Sequence, residues 1–238
     1  MPADVIAIVL AGGRSRRFGA AAPAGGKVAL EVGGTSLLDR VCRAVAGEAG
    51  RVIVVAAAEQ PLPPIAVSVE VIRDSRPAAG PLAAIHDGLV HAQTAHPAAR
   101  IAVVASGDSP ALEPAVLRLL VERARRPEVR WVVPLVGGHP QVLVSALATS
   151  LCERLGRELA AGVTSPRAVL ASVAASDERA VHRVSEAELA VVDPTLASFV
   201  DVDTPADLAR LEAAAPVTRS LPFPPPLPFP PSLPFPPS

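Results

Sequence analysis

The chain has 238 residues, 50% of them hydrophobic, and a mean hydropathy of +0.39, which is enough apolar material to bury a core and excludes disorder over most of its length. Its 22 Lys and Arg against 23 Asp and Glu leave a formal net charge of -1, so a nucleic-acid-binding face, which needs a surplus of cations to neutralise phosphates, is excluded too. Any anionic ligand must be small and held locally.

The first expected strand, Val5–Leu10, runs directly into Leu10-Ala11-Gly12-Gly13-Arg14-Ser15-Arg16-Arg17-Phe18-Gly19, and Lys27 follows a stretch of small residues. Adjacent glycines let backbone approach a polyphosphate closely, while Arg14, Arg16, Arg17 and Lys27 place positive charge within one loop. An ordinary strand-to-helix turn with solvated arginines is the plainer reading, but a loop of about sixteen residues without structure of its own is usually functional. Two familiar phosphate motifs are ruled out: there is no G-x-G-x-x-G, and Gly26-Lys27 precedes Val28 where a Walker loop needs Ser or Thr.

Further strands are expected at Val52–Ala56, Val69–Ile72, Ile101–Ala105 and Trp131–Val133, most of them continuously apolar, as in a mostly parallel sheet covered on both faces. Helices are expected near Ser36–Ala49, Pro81–Ala95, Pro114–Arg126, Ala146–Arg157, Pro166–Ala174 and Pro205–Ala214. Pro81, Pro114, Pro166 and Pro205 suit first helical positions, and Thr204 with Asp207 forms a capping-box pattern with Asp in place of Glu. The alternation predicts a three-layer α/β/α sandwich around a Rossmann-like sheet.

Cys42 and Cys152 lie in apolar helical patterns and predict buried free thiols, which points to a reducing, cytoplasmic setting. The apolar run from Val5 to Ala11 is too short for a signal sequence or a membrane span. His86, His91 and His96 recur every five residues, which spreads them around a helix and predicts solvated or capping histidines instead of a metal cluster. From Pro216 the composition changes. Leu221-Pro222-Phe223-Pro224-Pro225-Pro226 is followed by near-copies from Leu227 and Leu233, a polyproline or disordered tail that is either accreted low-complexity sequence or a ligand for a proline-binding module. The expected division is therefore a domain over 1–215 and a tail over 216–238.

In open α/β sheets ligands gather at the carboxyl ends of the strands. There the first strand delivers Gly12-Gly13-Arg14, the third Arg73-Asp74, and the fourth Ser106-Gly107-Asp108-Ser109-Pro110. Asp108, beside a glycine-rich cationic loop, suits a Mg²⁺ ion held against a nucleotide phosphate; an Asp making a side-chain turn before Pro110 satisfies the same letters. Asp74 to Leu82 reads as a loop into a helix whose start could face a ligand, with Gly80 and Pro81 also explained as a plain helix entry. Gly137-Gly138-His139-Pro140-Gln141 follows a strand, and Phe199-Val200-Asp201-Val202-Asp203-Thr204-Pro205 is read as following another.

Taken in order, these motifs resemble the MobA-like nucleotidyltransferase family over about residues 4–214, and within it the guanylyltransferases of molybdenum cofactor synthesis. The opening Leu-Ala-Gly-Gly-x-x-x-Arg-Met-Gly-x-x-Lys motif of that family is matched by Leu10 to Gly19 with Phe18 for Met, and Lys27 stands for its lysine after an insertion from Ala20 to Gly26. Asp74, Gly80-Pro81-Leu82, Gly107-Asp108-Ser109-Pro110, His139-Pro140 and the Asp201-to-Leu208 ending fall in the family's order. The resemblance implies a fold of the nucleotide-diphospho-sugar transferase type, and transfer of GMP from GTP to the phosphate of molybdopterin with release of pyrophosphate. It also implies phosphate binding by Leu10, Ala11, Gly12, Gly13 and Lys27, guanine contact by Asp74, and Mg²⁺ at Asp108. Arg17, Lys27 and Asp108 would carry catalysis, and Gly80, His139, Asp201 and Asp203 would face the acceptor. A cytidylyltransferase acting on molybdopterin or another small phosphorylated acceptor, or a non-catalytic nucleotide sensor, would use many of the same residues. Either a monomer or a homo-oligomer is compatible with this reading.

Overall fold

A computed structural model describes residues 2–12, 23–76 and 79–214. Arg14, Arg16, Arg17 and Gly13 of the glycine-rich loop, and the whole proline-rich tail, lie outside the described residues. The central sheet has the strand order β5-β4-β1-β6-β9-β7-β10, formed by β1 (Val5–Leu10), β4 (Arg51–Ala56), β5 (Glu70–Arg73), β6 (Ile101–Ser106), β7 (Trp131–Val136), β9 (Val144–Ala148) and β10 (Val181–Val184). On this path only β9 runs against its neighbours, pairing antiparallel with both β6 and β7. The short β8 (His139–Pro140) folds back on β7, and β2 (Glu31–Val32) with β3 (Thr35–Ser36) makes a separate hairpin.

Helices cover both faces. On one side, α1 (Leu37–Ala46), α3 (Pro114–Ala124) and α6 (Glu186–Ala190) bury Leu38, Val41, Leu117, Leu120 and Leu189 against Val5, Val9, Val54 and Val103. On the other, α2 (Pro81–Ala95), α4 (Cys152–Ala160) and α5 (Pro166–Ser176) bury Leu82, Ile85, Leu155 and Val169 against Ile6, Ile8, Ile53 and Val104. Successive residues of a strand face opposite sides, so a doubly covered strand is apolar throughout, and all six residues of β1 are buried. α2 lies so close to β1 that a Cβ on Gly88 would come within 2.7 Å of Ile8 Cγ2. This is the three-layer α/β/α sandwich that the alternation predicts.

The helix starts follow local chemistry. Pro81, Pro114 and Pro166 occupy opening positions where a missing N–H costs nothing. Ahead of α7 (Pro205–Ala214), Thr204 Oγ1 accepts from Asp207 N at 3.2 Å and Asp207 Oδ2 accepts from Thr204 N at 2.8 Å, the reciprocal cap that the sequence suggests. Cys42 and Cys152 are buried free thiols; burial and the nearby Asp39 push Cys42 up to about 12, so it stays protonated.

Two expectations are corrected. The helix expected over Ala146–Arg157 starts only at Cys152, because Val144–Ala148 is strand β9. Val144 and Ala146 face one layer and Leu147 the other, with Ser145 also buried, so the strand is covered on both sides and its period cannot be told from that of a buried helix. What decides it is the slot between β6 and β7. The segment from Phe199 follows no strand, since Ala197–Phe199 is a 3-10 turn.

Candidate active site

The site is built where the parallel strands end. β1 leads into Ala11 and Gly12, and Ala11 N donates to Val55 O at 2.9 Å, so the start of the glycine-rich loop continues the ladder with β4. Gly12 has Ala57 N as its nearest neighbour, at 3.7 Å from a Cβ placed there. Lys27 opens a short 3-10 turn, Lys27–Ala29, whose Val28 is buried in the core. A narrow crevice lined by Leu10, Ala11, Gly12, Lys27, Val28, Ser106 and Asp108 lies between these segments.

Asp108 is only 7% exposed at the end of β6. Ser106 Oγ donates to its carboxylate, and the Lys27 ammonium contacts it as well. Lys27 Nζ also lies 2.7 Å from Asp203 Oδ1. Burial pulls the Lys27 ammonium down, but the attraction of Asp108 and Asp203 outweighs it and holds Lys27 above the ordinary lysine value. Asp201 joins the group through Ser109, whose Oγ donates to Asp201 Oδ1 at 2.6 Å. Although Asp201 stands at the exposed rim, the protein around its carboxyl and the charge of Asp108 raise it above the usual carboxylate range, against the pull of Ser109 and Lys27. Among the described residues, the carboxylates of this cluster outnumber its cation. Such an arrangement favours a further cation.

Asp201 and Asp203 alternate about Val202, which is buried with Val32 and Leu37 and whose N–H donates to Asp108 O at 2.9 Å. The β2–β3 hairpin, turned at Gly33 and Gly34 with φ of 59° and 74°, supplies Val32. Alternation then points both aspartates the other way, towards Lys27 and Ser109.

Beyond Asp201 opens a cleft of about 250 Å³ lined by Pro81, residues 141–144, Ser165, Pro166, Arg167 and Phe199. The first turns of α2 and α5 meet here: Gly80, at φ 83°, caps α2, and a Cβ on it would lie 3.3 Å from Thr164 O. Two helix N-termini and the Arg167 guanidinium therefore face the same space, with the Asp201 carboxylate at its edge. His139, expected to face the acceptor, is exposed on β8 and is not among the cleft's lining residues; Gln141 is. Asp74 continues β5, donating its N–H to Ala56 O at 2.8 Å and accepting from Arg76 N at 2.9 Å. Three strand spacings, roughly 14 Å, separate it from Asp108 across β5, β4, β1 and β6.

A family model for the MobA-like NTP transferase domain matches residues 7–184. The chain belongs to that family. It is 35% identical over 209 residues to a protein of Mycobacterium avium (strain 104) named "Probable molybdenum cofactor guanylyltransferase", a match covering 87% of this chain and 94% of the relative. A molybdenum cofactor guanylyltransferase of Desulfosudis oleivorans is 30% identical over 210 residues, covering 88% and 95%. Among solved structures, molybdopterin-guanine dinucleotide biosynthesis protein A of Archaeoglobus fulgidus superposes with a TM-score of 0.68 at 26% identity, covering 87% of this chain and 97% of the other.

For this MobA-like transferase, the structure adds residues that motif reading passes over. Gln60 Nε2 donates to Ala11 O at 3.0 Å and to Gly25 O at 2.7 Å, tying together the two ends of the glycine-rich loop. Arg73 fixes the turn that carries it, donating to Ala57 O and Gln60 O at 3.0 and 2.7 Å. Asp193, 3% exposed, accepts from Ser198 N, Ala197 N and Thr195 Oγ1, and Ser198 Oγ accepts from Glu113 N at 3.0 Å, which sets the chain entering Asp201. The Asp193-Pro194 turn signal was available; the role of Gln60 had no local signal. No helix among the described residues is long and apolar enough to cross a membrane.

Proposed function

We propose that this chain transfers GMP from GTP to the phosphate of molybdopterin and releases pyrophosphate. The observation that carries the reading is that Gly12, Lys27 and Asp108 line one crevice, and Ser109, next to Asp108, bonds Asp201 at the edge of the cleft that Arg167 also lines. The names of the relatives support the substrate class. In this reading Leu10, Ala11, Gly12 and Gly13 cradle the triphosphate, with Arg17 and Lys27 as its counter-charges. Asp74, at the end of β5, contacts the guanine. The acceptor lies in the cleft, its phosphate towards Arg167, Gly80 and the starts of α2 and α5.

The reaction is a displacement at the α-phosphorus: an acceptor phosphate oxygen forms a new P–O bond as the bond to the β-phosphate oxygen breaks, and pyrophosphate departs with that electron pair. No enzyme nucleophile is needed, so the protein acts by alignment and charge. Asp108 and Asp201 are hard oxygen donors, and Asp201 is raised by burial and then by the charge of Asp108, a set that fits Mg²⁺, and they would hold it. When bound, such an ion neutralises charge on the reacting phosphates. Lys27, kept charged by Asp108 and Asp203, does the same from the loop side. Ser109 keeps Asp201 beside the reacting centre.

The test is to incubate the purified chain with Mg²⁺, molybdopterin and either GTP or CTP and to measure pyrophosphate. Acceptor-dependent release with GTP is expected, and Asp74 is expected to favour guanine, whose N1–H and exocyclic amine it can accept. A site built for such hydrogen bonds rejects the wrong partner by roughly 10⁴. Equal or better use of CTP, or no release with either, overturns the reading.

A further inference from the structure

At the other end of the sheet, Glu70, His91 and His96 converge. His91 Nε2 lies 2.8 Å from Glu70 Oε2, and His96 Nε2 lies 2.8 Å from Glu70 Oε1. One ligand atom from each residue falls within 4.8 Å of the others. Helical spacing hides this arrangement, because residues five apart do not share a face. The helix ends between the two histidines. His96 is the residue that closes α2, its N–H still bonded to Ala92 O at 2.8 Å but its backbone at φ -133° and ψ 61°, which swings the imidazole back beside His91. What is corrected is the expected spread of the three histidines: His86 stands apart with Arg76 and Asp87, and His96 is indeed the residue that ends α2, but His91 and His96 meet on Glu70 of the edge strand.

The geometry points to a binding site for a divalent transition metal of the Zn²⁺ class, held by Glu70, His91 and His96, that ties the end of α2 to the edge strand β5. Two imidazoles and one carboxylate are a donor set for Zn²⁺, Co²⁺ or Cu²⁺ and a poor one for Mg²⁺. In a tetrahedral zinc site donor atoms lie about 3.3 Å apart, so the ring nitrogens and carboxylate oxygens need only small rotations about an inserted ion. The rings are nearly perpendicular, at 77° with centroids 6.2 Å apart, and approach the carboxylate from different directions. The histidine side chains are 32% and 19% exposed, so an ion can enter and water can complete its coordination. Both imidazoles bind as the tautomer with the proton on Nδ1, and no redox partner is required.

The site is independent of the proposed transfer reaction. Glu70 begins β5, whose far end leads to Asp74, and α2 begins at the cleft with Pro81 and returns to His91. A bound ion would thus brace two elements that each carry a residue of the active site at the opposite end.

The experiment uses the full-length, untagged chain, stripped with a chelator and titrated with Zn²⁺ by calorimetry in excess Mg²⁺, with Co²⁺ absorption as the spectroscopic probe. About one zinc per chain is expected, with a rise in melting temperature on binding. Glu70→Gln is expected to bind about tenfold or more weakly, and the pair His91→Gln with His96→Gln to lose binding and the low-coordinate Co²⁺ bands. Glu70→Gln preserves size and one hydrogen-bond acceptor, so it tests the site even if the double variant fails to fold. Absence of zinc uptake, or a melting temperature indifferent to zinc, would show a hydrogen-bonded clasp only and overturn the proposal. Uptake unchanged in these variants would place the ion elsewhere and overturn it equally.

Discussion

Over β5, β4, β1 and β6 every strand runs the same way, and three of the four lead within two residues to a position of the proposed site: Gly12 after β1, Asp74 after β5, Asp108 after β6. The half formed by β9, β7 and β10 works differently. Its inner strand, β9, is antiparallel to both neighbours, and Asp201 arrives on an irregular segment held by Asp193, Ser198 and the buried Val202. A parallel strand end is a local device, so the residues that act there are adjacent in sequence to the element that places them. An irregular support is a tertiary device. Its parts, Glu113, Asp193 and Ser198, are up to 85 residues apart along the chain.

The comparison breaks first at Asp108. Replacing it with Ala is expected to lower pyrophosphate release on the order of 10³ or more while circular dichroism stays native, since in the proposed reaction the group acts on transferring phosphates and it lies outside the apolar clusters of the core. Lys27→Ala should follow with a smaller loss. Near-normal turnover in Asp108→Ala would remove the strand-end residues from the chemistry.

The other half is expected to fail by stability. Asp193→Ala leaves the N–H groups of Ala197 and Ser198 without their acceptor in a buried turn, a loss of about 2–3 kcal/mol readable by urea denaturation. Burial raises the Asp193 carboxyl, yet the bonds from Ser198, Ala197 and Thr195 carry it below its ordinary 3.8. Its contribution is therefore complete above about pH 3.8 and is lost as pH falls through the lower folded-state value. The stability gap between the natural chain and Asp193→Asn should accordingly narrow as pH falls from about 3.8 through the folded-state value, and stay constant above and below that window. A gap independent of pH would show that the carboxylate's charge has no part in the turn.

Arg167 sharpens the contrast within catalysis. Truncation to Ala is expected to raise the KM for the acceptor about tenfold, corresponding to about 1.4 kcal/mol, with kcat and the KM for nucleotide little changed. An effect on nucleotide KM instead would move the guanidinium to the other substrate. The smallest effect is expected from removing Leu221 to Ser238: we propose that this proline-rich segment adds nothing to the domain, so melting temperature and rate should match the full chain. A large loss on truncation would make the tail part of the fold or of an assembly.

The glycine-rich loop start, the continuous apolar strands, the prolines opening helices and the aspartates after β5 and β6 are all legible in the letters, because each is decided within a few residues by backbone freedom, side-chain period or a missing N–H. Strand β9 is not, since Val144–Ala148 is buried on both faces and only the open slot between β6 and β7 selects extended backbone over helix. Nor is the clasp of Gln60 on Ala11 and Gly25, 49 and 35 residues away. The meeting of His91 and His96 on Glu70 depends on where α2 happens to end against the edge strand. Sequence by itself determined the kind of sheet and which residues its parallel strands deliver, for those are local consequences of chain chemistry. Which distant groups meet at Asp201, Gln60 and Glu70 was decided by tertiary packing, because such contacts are set by how elements stack and not by any property of the residues in between.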